Sequence, residues 1–202
     1  MKKVLHPQSR ILSDIPRWPV VRTIKKQSVA EHSYYVTLYA LGLAQYLDWP
    51  KDLLYEVTQY AMIHDFEEMI TSDIPPPFKA NIKYDRKQIQ EQISNYTPAA
   101  GREPLCTVED LVKIADIFEA VMFLKDEQQL GNKGVSLIYR NLAIKLESHI
   151  SAFTDKYEYL TLTWMDECPV IPEKKSIEEL LLPYYTMDVR FNHLTDKGLH
   201  DE

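Results

Sequence analysis

The sequence predicts an all-α protein built as a single domain, and three observations lead to this prediction. Apolar residues recur at intervals of three and four over several segments, as they do along one face of a helix, whereas the alternation typical of strands is nearly absent. The 202 residues, 45% of them hydrophobic, are enough to bury one substantial core. The chain has only five glycines and shows no internal repeat or low-complexity linker. We therefore expect one orthogonal or irregular helical bundle over residues 1–202.

The first predicted helix occupies residues 28–47. Its apolar residues lie at helical spacing: Val29, Val36, Tyr39, Ala40, Leu43 and Leu47. Ser28 is suited to the N-cap, and Glu31 stands three residues later, where a capping box places an acidic side chain. His32 should therefore lie in the first turns of this helix.

A second helix is predicted from residue 51 to about residue 70, with Leu54, Val57, Ala61 and His64 along one face. The segment 72–77, which ends in three successive prolines, should stop this helix and form a stiff loop. A third helix, over about residues 82–96, is more polar and has weaker periodicity.

The fourth predicted helix begins with Thr107 and Asp110, which have capping-box spacing, and continues to about residue 130. Asp116 lies inside its apolar pattern. A fifth helix should cover residues 135 to 153 or beyond, and a short sixth helix should run from residue 176 to about 182, before Pro183.

Charge and apolar content restrict the class of function. A net charge of -7 argues against binding to a nucleic-acid polymer, so a small-molecule partner is expected. The apolar runs are too short for a signal peptide or a membrane-spanning helix, and we expect a cytoplasmic protein with no membrane partner. Cys106 and Cys168 are isolated, so neither a disulfide framework nor a thiolate zinc site is indicated.

The adjacent residues His64 and Asp65 are the most informative for chemistry. They lie within a largely apolar helical pattern, where a charged carboxylate needs a partner. A metal ion would supply one, since imidazole and carboxylate together suit manganese, iron, cobalt or zinc. Cysteine is missing from this segment, which disfavours a closed structural zinc site and favours an open, catalytic one.

Two further side chains on other predicted helices could complete such a site. Asp116 is flanked by apolar residues on both sides, and His32 also lies in an apolar helix. Together with His64 and Asp65, they would leave coordination positions for water or a phosphate oxygen. The alternative is structural, because a lone helical histidine is usually an ordinary core residue and Asp116 could pair with Lys113 or Lys125 on its own helix. Spacing alone does not decide between the two interpretations.

The order of these residues resembles the HD-domain phosphohydrolase superfamily, which is named for its His-Asp pair. A narrower resemblance is to the bacterial 5'-deoxynucleotidase subfamily, and it covers about residues 10–125. It rests on Arg17-Trp18-Pro19, residues 29–33 (Val-Ala-Glu-His-Ser), residues 64–68 (His-Asp-Phe-Glu-Glu) and residues 71–79 (Thr-Ser-Asp-Ile-Pro-Pro-Pro-Phe-Lys). Several ordered motifs together are far more specific than any one of them. Residues 126–202 match no motif and are expected to form a helical scaffold.

The resemblance implies a role for each matching residue. The metal ligands would be His32, His64, Asp65 and Asp116. Arg17 and Lys79 would bind phosphate oxygens, the first as a planar donor fork and the second as a point charge. Glu68 and Asp73 would move protons around the scissile bond. Trp18 would close over the sugar and exclude a 2'-hydroxyl, and a metal-activated water would attack phosphorus directly.

The resemblance leaves the substrate open between two classes. The interval from Asp65 to Asp116 is shorter than in the enzymes that cleave deoxynucleoside monophosphates. This shorter form resembles, about equally well, compact phage-type triphosphohydrolases that act on deoxynucleoside triphosphates such as dATP. The loop with Pro77 and Lys79, together with Lys113, would offer positive charge for a triphosphate. An HD-type signalling nucleotide hydrolase and a non-enzymatic interaction protein are more distant alternatives.

The cofactor and the assembly follow from the resemblance in general terms only. Cobalt, manganese and zinc all accept nitrogen and oxygen ligands, so each is a candidate cofactor. Helical proteins of this superfamily commonly form dimers or larger assemblies, and we expect a homo-oligomer. The substrate would be a small-molecule deoxynucleotide.

Overall fold

A computed structural model describes residues 7–79, 81, 86–94, 104–165 and 176–185. The α-helices in these residues are α1 (Val29–Tyr46), α2 (Lys51–Ile63), α3 (Glu68–Thr71), α4 (Pro76–Lys79), α5 (Arg86–Ser94), α6 (Cys106–Gln129), α7 (Ser136–Met165) and α8 (Ile177–Tyr185). Short 3-10 helices precede α1 (Pro7–Ser13) and α7 (Lys133–Val135). Extended pairing within the described ranges is limited to one bridge, between Pro16 and Ser28. The predicted all-α fold is confirmed, whereas a single domain over residues 1–202 stays a prediction.

Helix α6 lies at the centre of the bundle and packs against α1, α2, α7 and α8. Its buried apolar side chains are not confined to one stripe, and they include Val108, Leu111, Val112, Ile114, Ala115, Ile117, Phe118, Val121 and Leu124. A helix that is apolar on all sides is typical of a buried position. Burial of each large apolar side chain stabilises the fold by about 1.5–3 kcal/mol. Asp116 is therefore held in a largely apolar environment, as its neighbours in the sequence predict.

Helix α1 begins where the capping pattern predicts. The Ser28 hydroxyl accepts a hydrogen bond from the Glu31 amide at 3.1 Å, so Ser28 is the N-cap. Just before this cap, the Arg17 amide donates to the Gln27 carbonyl at 2.9 Å. This backbone bond fixes the loop that carries Arg17 beside the start of α1, where His32 lies.

The predicted second helix is wrong in extent, because α2 ends at Ile63 and a turn over residues 64–67 separates it from α3. The His64 imidazole places Nδ1 2.6 Å from the Ala61 carbonyl oxygen. In a continuous helix that carbonyl accepts from the amide four residues later, so the side chain competes with the helical bonding pattern. His64 and Asp65 consequently lie in a turn and not on one face of a long helix.

The segment between α3 and Lys79 also differs from the predicted stiff loop, because it contains the short helix α4. Ser72 ends α3 with a φ of 58°, and its amide donates to the Glu68 carbonyl at 2.9 Å. The Pro75 carbonyl then accepts from the Lys79 amide at 3.1 Å. Prolines are tolerated here because the first positions of a helix leave their amide hydrogens unbonded anyway. These turns place Asp73 and Lys79 on the same side as the His-Asp pair.

The start of α6 also differs from the predicted one. Helix α6 begins at Cys106 with Leu105 as its N-cap, and not at Thr107. The carboxylate of Glu56, from α2, accepts a hydrogen bond from the Leu105 amide at 3.0 Å. The start is therefore fixed by a distant side chain. Helix α5 lies inside the predicted third helix, whose outer parts, 82–85 and 95–96, fall outside the described residues.

Pro183 lies inside α8, although the sixth helix was predicted to end before it. The Lys125 ammonium donates to the Tyr184 carbonyl, and the Tyr139 hydroxyl donates to the Tyr185 carbonyl at 2.8 Å. These side chains come from α6 and α7. They hold the last turn of α8 in place even though proline supplies no amide hydrogen to it.

Candidate metal centre and active site

Side chains from α1, the turn after α2, and α6 converge at one point. His32 Nε2 lies 3.5 Å from Asp65 Oδ2 and 3.2 Å from Asp116 Oδ1. His64 Nε2 lies 3.2 Å from the same Asp65 oxygen, and the two imidazole rings are 5.5 Å apart. All four residues expected to bind metal are therefore brought together.

The donor atoms of this cluster fit a metal ion. His32 Nε2, His64 Nε2 and Asp65 Oδ2 are buried, and none has a hydrogen-bond partner among the described residues. They lie within 4.8 Å of one another. Buried polar atoms are nearly always satisfied, so three of them facing one point indicate a ligand that accepts lone pairs. Asp116 adjoins this group through its contact with His32, and its role as a fourth ligand stays a prediction.

The second nitrogen of each histidine fixes which tautomer is present. His32 Nδ1 lies 2.5 Å from Glu119 Oε2, and His64 Nδ1 lies 2.6 Å from the Ala61 carbonyl oxygen. A backbone carbonyl can only accept a hydrogen bond, and an ionised carboxylate likewise only accepts. Both Nδ1 atoms must therefore carry hydrogen, which leaves the Nε2 lone pairs of the neutral rings for a metal.

The charges in the cluster depend strongly on one another. Burial and Arg17 both act against a charged His32, but the carboxylates of Asp116 and Glu119 raise its pKa to about 9. Burial alone would raise the pKa of Asp65, yet His64, Arg17 and His32 hold it well below its usual range. In the metal-free protein His32 is thus readily protonated. Metal binding must displace that proton, as is general for histidine ligands.

Arg17 faces the same cluster from the loop before α1. Its guanidinium donates to Asp73 Oδ1 at 3.1 Å and lies 3.4 Å from Asp116 Oδ1. Although burial acts to lower the pKa of Arg17, Asp65, Asp116 and Asp73 raise it above its ordinary value. The positive charge is therefore permanent, and the planar donor fork is held against the carboxylates of Asp73 and Asp116.

Glu68 and Lys79 form the opposite edge of the site. Glu68 is buried, and Lys79 Nζ lies 3.8 Å from Glu68 Oε1 and 3.4 Å from Glu67 Oε1. Burial, with repulsion from Asp65 and Asp73, raises the pKa of Glu68 to about 8. Burial also raises the pKa of Asp73, although its ion pair with Arg17 opposes the effect. Glu68 can therefore hold a proton near neutral pH, which a general acid must do.

The remaining predicted site residues are Trp18, Lys113 and Pro77. The Trp18 indole stacks on Phe123 with centroids 5.5 Å apart, so its ring plane is fixed. Lys113 is half exposed, and its ammonium lies 2.5 Å from Asp116 Oδ2. This is an ion pair within α6 of the kind that the sequence allowed, and it lies at the edge of the metal cluster. Pro77 belongs to α4, but its side chain falls outside the described residues.

Sequence reasoning missed two buried polar residues beside the cluster, Gln27 and Glu119. Glu119 is 3% exposed and lies between the apolar residues Phe118 and Ala120 of α6. Asp116 drew attention because a carboxylate in an apolar helix needs a partner, and the same criterion selects Glu119. Gln27 has no comparable signal, because it lies in a loop whose conformation depends on distant contacts.

The group His32, His64 and Asp65 could hold a metal ion, and Arg17 and Lys79 nearby could attract an anionic substrate. Residues 10–177 match the family described as HD domain. The chain belongs to this family, and the resemblance seen in the sequence is confirmed.

Two kinds of relative are similar to this chain. The dATP triphosphohydrolase of Cyanophage S-2L is 31% identical over 114 residues, which are 56% of this chain and 65% of the phage protein. The match therefore spans less than two thirds of that enzyme. The 5'-deoxynucleotidase Ent638_2835 of Enterobacter sp. (strain 638) is 29% identical over 163 residues, which cover 71% of this chain and 82% of the relative.

Solved structures show the same fold. The Cyanophage S-2L HD phosphohydrolase (DatZ), bound to dA and one catalytic Zn2+ ion, aligns with a TM-score of 0.54 at 19% identity, over 79% of this chain and 99% of that one. A conserved hypothetical protein from Pyrococcus furiosus aligns with a TM-score of 0.59 at 25% identity, over 74% of this chain and 92% of that one.

Within the described ranges, each helix is too short or too polar to cross a membrane.

Proposed function

We propose that this HD-domain phosphohydrolase removes the 5'-phosphate from 2'-deoxynucleoside monophosphates. The observation that carries the proposal is the convergence of the unpartnered atoms of His32, His64 and Asp65 with the Arg17 guanidinium and the protonatable Glu68. Metal ligands, a phosphate-binding cation and an acid are the parts that phosphate ester hydrolysis needs. The bacterial 5'-deoxynucleotidase, which matches 71% of this chain, supports a monophosphate as substrate.

His32, His64, Asp65 and Asp116 are the proposed ligands of a divalent transition metal, with zinc, manganese or cobalt as candidates. Zinc is favoured by its presence in the phage structure. When bound, such a metal supplies Lewis acidity towards a phosphoryl oxygen and lowers the pKa of its water. The protein's own residues then bind the phosphate, set its orientation and supply protons.

Arg17 and Lys79 are the proposed phosphate ligands. The Arg17 fork is already held by Asp73 and Asp116, so it can meet the developing negative charge without reorganising. Lys79 lies beside Glu68, where a phosphate ester oxygen can contact both. As water's oxygen bonds to phosphorus and the P–O5' bond breaks, Glu68 gives its proton to O5'. Asp73 is the carboxylate proposed to accept the proton that the attacking water loses.

Trp18 is the residue proposed to contact the sugar and to distinguish deoxyribose from ribose. Its ring cannot swing freely because one face stacks on Phe123 and its indole nitrogen donates to Gln27 at 2.9 Å. A fixed aromatic surface can exclude the additional oxygen of ribose by steric contact. We therefore propose selectivity for deoxyribose.

Hydrolysis of a deoxynucleoside triphosphate to triphosphate is the second candidate. The phage dATP triphosphohydrolase, at 31% identity, favours it. So does Lys113, whose half-exposed ammonium beside Asp116 adds a third cation to Arg17 and Lys79. More phosphate groups require more positive charge at the site.

Product analysis separates the two candidates. Metal-reconstituted enzyme is incubated with each dNMP, each dNTP and the matching ribonucleotides, and the products are resolved by chromatography. Inorganic phosphate from monophosphates supports the main proposal, whereas intact triphosphate from a dNTP supports the second. Full activity in an Asp65→Ala variant would overturn both.

A cytoplasmic location and a homo-oligomeric state are further proposals, and light scattering after size exclusion tests the latter.

A further inference from the structure

A buried chain of hydrogen bonds connects the metal cluster to the aromatic side chain proposed to read the sugar. The Trp18 indole Nε1 donates to Gln27 Oε1 at 2.9 Å, and Gln27 Nε2 donates to Glu119 Oε1 at 2.6 Å. The other oxygen of Glu119 lies 2.5 Å from His32 Nδ1. Gln27 is 6% exposed and Glu119 is 3% exposed, so water does not compete for these bonds.

Every group in this chain has one possible orientation. The indole nitrogen can only donate, and the Glu119 carboxylate can only accept. The amide of Gln27 must therefore direct its oxygen to Trp18 and its nitrogen to Glu119. Glu119 in turn requires hydrogen on His32 Nδ1, which leaves Nε2 of that ring with its lone pair towards the cluster.

We propose that Glu119 and Gln27 are positioning residues that couple metal binding to the placement of Trp18. Glu119 holds His32 in the tautomer that binds metal. Gln27 bonds both the Glu119 carboxylate and the Trp18 indole, so the position of one depends on the position of the other. The half that concerns metal rests on His32 as a proposed ligand and on the contact between Glu119 and His32. The half that concerns sugar selectivity rests on the proposed function of Trp18.

The alternative is that both residues merely fill space in the core, and volume-conserving substitutions distinguish the two. In Glu119→Gln the new amide faces the nitrogen of Gln27 on one side, so its own oxygen turns towards Gln27. Its nitrogen then faces His32 Nδ1 and favours hydrogen on Nε2, where a metal cannot bind. Loss of a carboxylate partner behind a histidine ligand typically weakens metal binding by about 10–100-fold.

A reciprocal exchange should repair this defect. In the double variant Glu119→Gln with Gln27→Glu, the new carboxylate accepts from both Trp18 and the amide at position 119. The oxygen of that amide then accepts from His32 Nδ1, so each donor again faces an acceptor. The net charge of the pair is unchanged. We expect the double variant to regain most of the metal affinity that Glu119→Gln loses.

The experiment measures the affinity for Zn2+ alone, by competition with a chromophoric chelator, and the His32 tautomer by 15N chemical shift. Circular dichroism checks that each variant is folded. Wild-type affinity in Glu119→Gln would overturn the proposal, and so would a double variant that folds without regaining zinc. If Glu119→Gln alone fails to fold, a folded double variant with near wild-type affinity supports the proposal, and a weak one overturns it.

The sugar half is tested with Gln27→Met, which keeps the Glu119 contact to His32 but releases Trp18. We expect zinc affinity to fall less than in Glu119→Gln, while the ratio of kcat/KM for deoxynucleotide over ribonucleotide decreases. An unchanged ratio would overturn the coupling to Trp18. If wild-type enzyme cleaves no deoxynucleotide but the zinc results hold, the proposed function fails and the role of Glu119 stands.

Discussion

Replacing Glu68 with glutamine should change how the stability of the metal-free protein depends on pH. Burial, with Asp65 and Asp73, raises the pKa of Glu68 from 4.5 to about 8, although Arg17 and Lys79 act in the opposite direction. Between these two values the folded protein keeps a proton that the unfolded chain has lost. The contribution of Glu68 to stability is therefore complete below pH 4.5 and is lost as the pH rises to about 8. At about 1.4 kcal/mol per pKa unit, the loss is on the order of 5 kcal/mol.

Urea unfolding of the wild type and Glu68→Gln across this range measures the effect. Glutamine cannot ionise, so the wild type should lose stability relative to the variant at each step towards higher pH. Titrating groups that lie far from Glu68 are common to both proteins and cancel in the difference. Glu31→Gln, at an exposed position, controls for the loss of one negative charge. A difference between wild type and Glu68→Gln that stays constant from pH 5 to 8 would refute the assignment of a buried, protonated carboxyl.

Three further changes have outcomes that the structure specifies. Ser72→Gly should stabilise the protein by about 1 kcal/mol, because its φ of 58° and ψ of 171° suit glycine alone, and a lower Tm would contradict this. Glu127→Ala should cost about 3 kcal/mol in urea unfolding, because the amides of Ile24 and Lys25 lose their buried carboxylate acceptor. A cost of a few tenths of a kcal/mol would show that water replaces it. Zinc at about 100 to 1,000 times its Kd should stabilise the wild type by about 3–4 kcal/mol but leave Asp65→Ala nearly unchanged. Equal stabilisation of both would place the metal elsewhere.

The members of the metal cluster were candidates because they are charged or polar residues inside apolar helical patterns, and the resemblance to the HD-domain superfamily joined them into one set. Burial of such side chains is costly without a partner, so Asp65 and Asp116 each indicated a positively charged partner. The same reasoning would have found Glu119. Helix periodicity also placed α1 and α6 correctly, since each has a long apolar pattern and, for Ser28, a side chain that caps locally.

The errors arose where a distant or unusual contact decides the local structure. The end of α2 depends on His64 bonding the Ala61 carbonyl, which the spacing of apolar residues does not reveal. The start of α6 depends on Glu56, about fifty residues earlier in the chain. Pro183 remains helical because Lys125 and Tyr139 bond the carbonyls that follow it. Such contacts exist only once the bundle has formed.

Helix α6 also sets the spacing between several side chains that contact the site. Asp116, Glu119, Phe123 and Glu127 follow at intervals of three or four residues, so they share one stripe of the helix. Asp116 contacts His32 Nε2, and Glu119 contacts Nδ1 of the same ring. Phe123 stacks on Trp18, and Glu127 accepts a hydrogen bond from the Lys25 amide in the loop before α1. One residue inserted within the stripe would rotate everything after it by about 100° and separate these functions. A change in the length of the chain between Lys79 and α6 would leave the order of residues within this stripe unchanged, whereas an insertion inside the stripe would not.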